Sequence, residues 1–149
     1  MPLKKNIGTN YTQSSTEMID DEPGIVQGDI VWAQHPLTDK VDKLKCRPVL
    51  IISSSYSNSL DNDYVAIPIT KTIRHEPFSL TIEPDDLSGD LPIASELRCN
   101  KPFTVRNTLL HDKIGVLIGA KVEQTTRLAI EAIEYRPRLE SLNAEGAQL

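Results

Sequence analysis

Residues 43–52 read KLKCRPVLII: a polar approach, an arginine and a proline, then an unbroken run of Val, Leu and Ile. Apolar side chains at consecutive positions mean that both faces of a strand are covered, so RPVLIISSS (residues 47–55) is expected at the centre of a sheet. Neighbours on a strand point to opposite faces. Arg47 therefore shares a side with Val49 and Ile51, while Cys46, Leu50 and Ile52 take the other. An arginine ending such a row can lay its stem on apolar surface and present its planar fork at the rim.

Working outward, IVQGDIVWA from Ile25 reads as a strand interrupted at Gly28, where Gly-Asp signals a turn or bulge. His35 to Lys45 is polar and charged and is expected to be an exposed loop. Residues 53–63, rich in Ser, Asn and Asp, read as a second loop before the strand YVAIPIT, whose Pro68 suits an edge or a bulge. FSLTIE alternates strictly, placing Phe78, Leu80 and Ile82 inward and Ser79 and Thr81 outward. After the turn residues of EPDDLSGDLP come IASELRC and KIGVLIG as further short strands. VEQTTRLAIEAIEY is the one helix, with Leu128, Ala129, Ala132 and Ile133 on a common face. About six strands with one late helix and no strand-helix alternation predict a mainly β (α+β) fold: a small, strongly bent antiparallel barrel with a C-terminal helix.

A chain of 149 residues is one domain's worth. Residues 1–24 are polar and aperiodic and read as a disordered or extended arm, residues 25–135 as the folded domain, and residues 136–149 as a frayed tail. No apolar run is long enough for a membrane span, and MPLKKNIGTNYTQSSTEM has no apolar stretch behind its charged start, so a cytoplasmic protein is expected. Cys46 and Cys99 are expected to be free thiols and small core side chains, and Trp32 a core residue. Zinc takes about four ligands in closely spaced pairs, which Cys46, Cys99, His35, His75 and His111 do not form, and no cofactor motif is present. A formal net charge of −5 argues against coating by nucleic acid through charge alone, yet the acidic residues gather in EMIDDEP and EPDDLSGD and leave room for a local basic groove.

Three strand ends carry the chemistry. Arg47 opens one strand, Thr70 closes YVAIPIT, and Arg98 closes IASELR. Two guanidinium groups and a hydroxyl are the parts needed to grip a phosphodiester and spread its charge, if the fold brings them together. Singly, each has an ordinary reading: a solvated strand terminus for the arginines, a β-former for Thr70, a surface side chain for His35.

The succession GDIVWAQHP, KCRPVLIIS, AIPIT, SELRCNKPFT and KIGVLIGAKVEQ, running from about Gly28 to about Tyr135, resembles the PemK/MazF family of toxin ribonucleases of bacterial toxin-antitoxin systems. The resemblance implies an SH3-like barrel that forms a homodimer, binds a cognate antitoxin, and cleaves single-stranded RNA without metal or cofactor. Attack there is by the ribose 2′-hydroxyl, leaving a 2′,3′-cyclic phosphate and a 5′-hydroxyl end. It assigns Arg47 to phosphate binding, Thr70 to a hydrogen bond on the phosphoryl oxygens, and Arg98 to assisting or protonating the leaving oxygen. Lys71, Asn100, Lys101, Phe103 and Thr104 are the matching RNA-binding candidates, with Phe103 open to either a core or a base-stacking role.

One position departs from that pattern. Where PemK-like proteins follow Arg-Cys with an aspartate, a candidate base, this chain has Asn100, whose amide cannot take a proton at neutral pH. His35 or Asp39 could substitute, His35 being favoured because an imidazole with an ordinary pKa near 6.5 can act as a base at pH 7. The alternative is a barrel that binds RNA or an antitoxin without cutting. Gyrase poisoning is disfavoured, because relatives with that activity rely on a C-terminal Trp-Gly-Ile and this chain ends AEGAQL.

Overall fold

The computed structural model describes residues 24–37 and 40–138, the side chains of residues 35–44 lying outside that description. Its strands are β1 (Asp29–Leu37), β2 (Lys40–Ile51), β3 (Asp63–Thr70), β4 (Ser79–Ile82), β5 (Leu87–Gly89), β6 (Ser95–Arg98), β7 (Phe103–Arg106) and β8 (Leu110–Leu117). Two helices are described, α1 (Ser55–Asp61) and α2 (Gly119–Ile133). All pairings are antiparallel, in the order β4–β6–β3–β2–β1–β8–β5, with β7 lying against β3. The mainly β architecture with a late helix is therefore as expected, and β2 stands at its centre.

Continuous apolar runs feed two cores at once. Ile30, Leu50, Ile67 and Leu97 enter one buried cluster, against which Val122 and Leu128 of α2 pack. Their sequence neighbours Val31, Val49, Ile51 and Ala66 enter a second cluster with Ala33 and Val105. A strand buried on both faces has no polar position to spare, which is why RPVLIISSS does not alternate. FSLTIE alternates as expected, Phe78, Leu80 and Ile82 all joining the first cluster.

Several expectations are corrected. The stretch from His35 to Lys45 is not a loop: β1 runs on through Leu37 and pairs residue by residue with β2, His35 opposite Lys45. Backbone pairing carries this hairpin where the side-chain pattern gave no signal. Residues 55–61 form α1, capped by Ser54 Oγ accepting from the Ser57 N–H at 3.2 Å and closed by Asn62 in the left-handed region at φ 58°. Pro68 lies inside the sheet. It falls where the second neighbour of β3 changes, β7 pairing residues 63–66 and β6 pairing residues 69–70, so its missing N–H breaks no rung on that side. Trp32, 41% exposed, and Cys46 are not core residues. They lie on the part of the β1–β2 ribbon beyond the Ile30–Leu50 rung, where the first cluster ends. On α2 the buried side is Thr125 and Ala129, and Ile133 is exposed. Of the arm and tail expected at residues 1–24 and 136–149, residues 1–23 and 139–149 lie outside the described residues.

Closure between β5 and β8 depends on a glycine pair. Gly89 faces Gly115 across the ladder. A Cβ on Gly89 would sit on the Ile114 carbonyl oxygen, and one on Gly115 on the Ser88 carbonyl oxygen. Gly89 also has φ +136°, a conformation that side chains resist.

Candidate functional site

Thr70 closes β3, and its partner on β6 is Glu96. On the other side β3 pairs with β2 through Val49 and Pro68. Continuing that register by two residues sets Arg47 level with Thr70. Cross-strand partners share a face, as do residues two apart along one strand. Arg47, Thr70, Glu96 and Arg98 consequently project from one face, whereas Leu97 and Cys99 turn the other way into the first cluster. Arg98 comes level with Pro68, and Phe103, paired with Ala66, comes level one step further along the same face. From strand spacing and rise, the Cα atoms of Arg47 and Arg98 stand roughly 12 Å apart, close enough for two long side chains to converge on one phosphate.

Beneath this rim lies a carboxylate that the sequence reading did not single out. Glu96 is fully buried, and its Oε1 lies 2.8 Å from Arg98 Nε. The contact is ionic rather than a straight hydrogen bond, the two atoms being close but out of line. Oε2 accepts from the backbone N–H groups of Arg74 and His75, each at 2.9 Å. Burial pushes the Glu96 carboxyl up, but those two N–H groups, the Arg98 guanidinium and the Ser79 hydroxyl outweigh it and hold the group below the ordinary carboxylate value. Arg98 also has Glu76 at 3.8 Å from Nη1. The signal that could have found Glu96 is its spacing: two residues before Arg98, it must share that arginine's face.

Thr70 Oγ1 accepts from the Thr72 N–H at 3.1 Å. A hydroxyl has one proton to donate and two lone pairs, so this turn leaves the O–H donor available to a ligand. Lys71 is exposed directly after Thr70. Asn100 and Lys101, both exposed, form the turn after Arg98, the Lys101 N–H donating to the Arg98 carbonyl at 3.0 Å. Phe103 is half-buried against the second core cluster at the edge of the row. Thr104 is not brought to this face: it pairs with Val65 and points away from Phe103. His35 occupies a strand position two residues beyond the Ala33–Arg47 pair rather than a loop. Asp39 lies outside the described residues. Among the described residues no group of three or more His, Cys, Asp or Glu is placed to hold a metal ion.

A bent antiparallel half-barrel that aligns two arginines and a threonine on one face defines a small β-protein with a cationic surface at that place. The chain belongs to the family of PemK-like, MazF-like toxins of type II toxin-antitoxin systems, whose model matches residues 26–133. It is the toxin component of such a system. Comparison with curated protein sequences gives no match. Among solved structures it is similar to a mycobacterial endoribonuclease in complex with its cognate antitoxin, at 20% identity over 77% of this chain and 100% of that one, with TM-score 0.61. The Mycobacterium tuberculosis toxin MazF-mt6 is similar at 22% identity over 73% and 99%, TM-score 0.57. MazF from Deinococcus radiodurans follows at 14% identity over 76% and 100%, TM-score 0.62. At these identities the likeness is one of fold. No helix among the described residues is long and apolar enough to cross a membrane.

Proposed function

We propose that this toxin is an endoribonuclease that cleaves single-stranded RNA, with Arg47, Thr70 and Arg98 around the scissile phosphate. The observation that carries the reading is the strand register: continued two residues past the Val49–Pro68 pair, it sets Arg47, inside β2, level with Thr70 at the end of β3, with Arg98 at the end of β6 on the same face. The ribose 2′-oxygen attacks phosphorus, the P–O5′ bond breaks, and a 2′,3′-cyclic phosphate and a 5′-hydroxyl result. Negative charge grows on the non-bridging oxygens, and the two guanidinium groups with the Thr70 O–H stabilise it there. Arg98 acts as fixed positive charge beside the phosphate, and water supplies the proton to the departing 5′-oxygen. The base that removes the 2′ proton is assigned to His35, since Asn100 cannot serve. Lys71 and Lys101 hold the flanking backbone, and Phe103, which shares the face of Arg98, is the candidate for stacking on an unpaired base. The protein works as a homodimer in the cytoplasm and is controlled by a cognate antitoxin, a reading supported by the similar mycobacterial endoribonuclease being in complex with its own.

The test is incubation of the protein with mixed-sequence RNA in EDTA, followed by mapping of the ends. Fragments with 5′-hydroxyl ends are expected from the wild type, and Arg47→Ala should lose about 10²- to 10³-fold of the rate, the usual cost of one charge-stabilising donor. Absent cleavage, or equal cleavage by Arg47→Ala, overturns the reading. Asn100 favours one second reading, a barrel that holds RNA without cutting it. RNA binding without cleavage, unrestored by Asn100→Asp, would select it.

A further inference from the structure

The site reading leaves the buried carboxylate beneath Arg98 without a part to play. Glu96 has no exposed surface, and a carboxylate is kept there only where its charge is fully engaged. Its two oxygens face in different directions. Oε1 meets Arg98 Nε at 2.8 Å, and Oε2 gathers the N–H groups of Arg74 and His75. The segment between β3 and β4 that contains those two residues passes through the left-handed region at His75 (φ 55°) and Phe78 (φ 67°), conformations that need outside support.

We propose that Glu96 is a positioning residue that fixes the Arg98 guanidinium and the Arg74–His75 turn relative to one another, so that the Nη edge of Arg98 is presented to the scissile phosphate. This rests on the ribonuclease reading above. With Nε held from below by a buried oxygen, the fork cannot swing about its stem, and the edge left to a ligand is the one carrying Nη1 and Nη2. Glu76, half-exposed at 53%, is the one carboxylate among the described residues paired with that edge, 3.8 Å from Nη1, and a bound phosphate would displace it at little cost. An arginine so pre-oriented needs no reorganisation when charge develops in the transition state. The benefit therefore falls on the chemical step rather than on RNA binding, because Glu96 itself repels the substrate.

Glu96→Gln is the variant of choice. It keeps the shape and a carbonyl for the backbone N–H groups, while losing the charge opposite Nε. Expected is a fall in kcat of about tenfold or more with KM within about twofold of wild type. In an Arg98→Ala background the same change should alter kcat no further, as a residue acting through Arg98 requires. A wild-type rate for Glu96→Gln, or an equal loss in both backgrounds, overturns the proposal. A readout independent of catalysis separates it from the ribonuclease reading: in wild-type protein the Arg98 Nε–H proton, buried where the Glu96 charge holds it, should exchange slowly with solvent in NMR spectra, and in Glu96→Gln, where the fork is released, rapidly. Fast exchange in the wild type defeats the proposal even if RNA is cut. Slow exchange in a protein that cuts no RNA upholds the held fork and defeats the ribonuclease reading alone. Should Glu96→Gln not fold, the wild-type exchange rate decides.

Discussion

Arg98 and Glu96 sit two residues apart on one strand, on one face, with Nε 2.8 Å from Oε1 and the carboxylate wholly buried beneath the guanidinium. The arginine is at the rim, its side chain 15% exposed. The guanidinium proposed to face the scissile phosphate is thus anchored in the domain's interior, and loss of the Glu96 charge has two expected consequences, one for the substrate and one for the fold.

The fold consequence is visible in acid. Glu96 titrates below its ordinary value of 4.5 in the folded chain. At neutral pH it is ionised in both states and its contribution to stability is fully present. As pH falls past the unfolded value, the unfolded chain takes up the proton first, and the contribution is lost progressively until the folded value is passed. Thermal unfolding between pH 7 and pH 3 should show a falling midpoint in the wild type and a flatter acid limb in Glu96→Gln. Parallel acid limbs would remove Glu96 as the cause.

Much of the fold can be read from the sequence because burial leaves patterns. The run from Arg47 marks a central strand, FSLTIE marks one inward face, and Leu128 with Ala129 marks the packed side of α2. Features stabilised by backbone or distant partners leave none. The α1 segment is short and polar, and rests on the Ser54 cap and on Asn58 bonded with Ser53. The β7 strand exists through its pairing with β3, and the outer hairpin through pairing of β1 with β2. Thr70 and Arg98 do end their strands as the sequence suggests, whereas Arg47, expected to open its strand, lies within β2 because backbone pairing with β1 extends that strand back to Lys40. For Glu96 the spacing from Arg98 fixes only the shared face; its burial is not legible, because it is held by Arg74 and His75 through backbone atoms that nearly every residue has.

The two thiols differ in reactivity for a reason visible in the strands. Cys46 is exposed, while Cys99 is buried and burial pushes its thiol up to about 11. At pH 8 roughly one Cys99 in a thousand is thiolate, and that fraction is shielded. Native protein should release one equivalent of chromophore from a disulfide reagent such as DTNB and a second only on denaturation. Rapid reaction of both would place Cys99 elsewhere.

Gly115→Ala tests closure of the sheet. The new methyl meets the Ser88 carbonyl of β5, and backbone cannot step aside as a side chain would. Overpacking of this kind costs about 1–3 kcal/mol, a fall in melting temperature of several degrees for a domain of this size. Gly119→Ala is the control: nothing lies within 4 Å of its added Cβ, so its melting point should match or exceed that of the wild type. Equal behaviour of the two variants would show that β5 gives way.

Asn100→Asp bears on the base. Asn100 is exposed in the turn after Arg98, so a carboxylate there is solvated and the fold should not notice it. If the missing proton acceptor limits turnover, the variant gains rate, within the range of about 10²- to 10⁴-fold that general acid-base help supplies. The pH profile identifies the group responsible. With His35 as base in the wild type, the rate rises through the imidazole range near pH 6.5, and His35→Ala removes that limb. In Asn100→Asp the rise should move toward the carboxylate range near pH 4, and His35→Ala should then cost little. A rate and profile unchanged by Asn100→Asp, together with an inert His35→Ala, would mean that neither position takes the proton. Cleavage would then depend on the arginine and threonine rim alone.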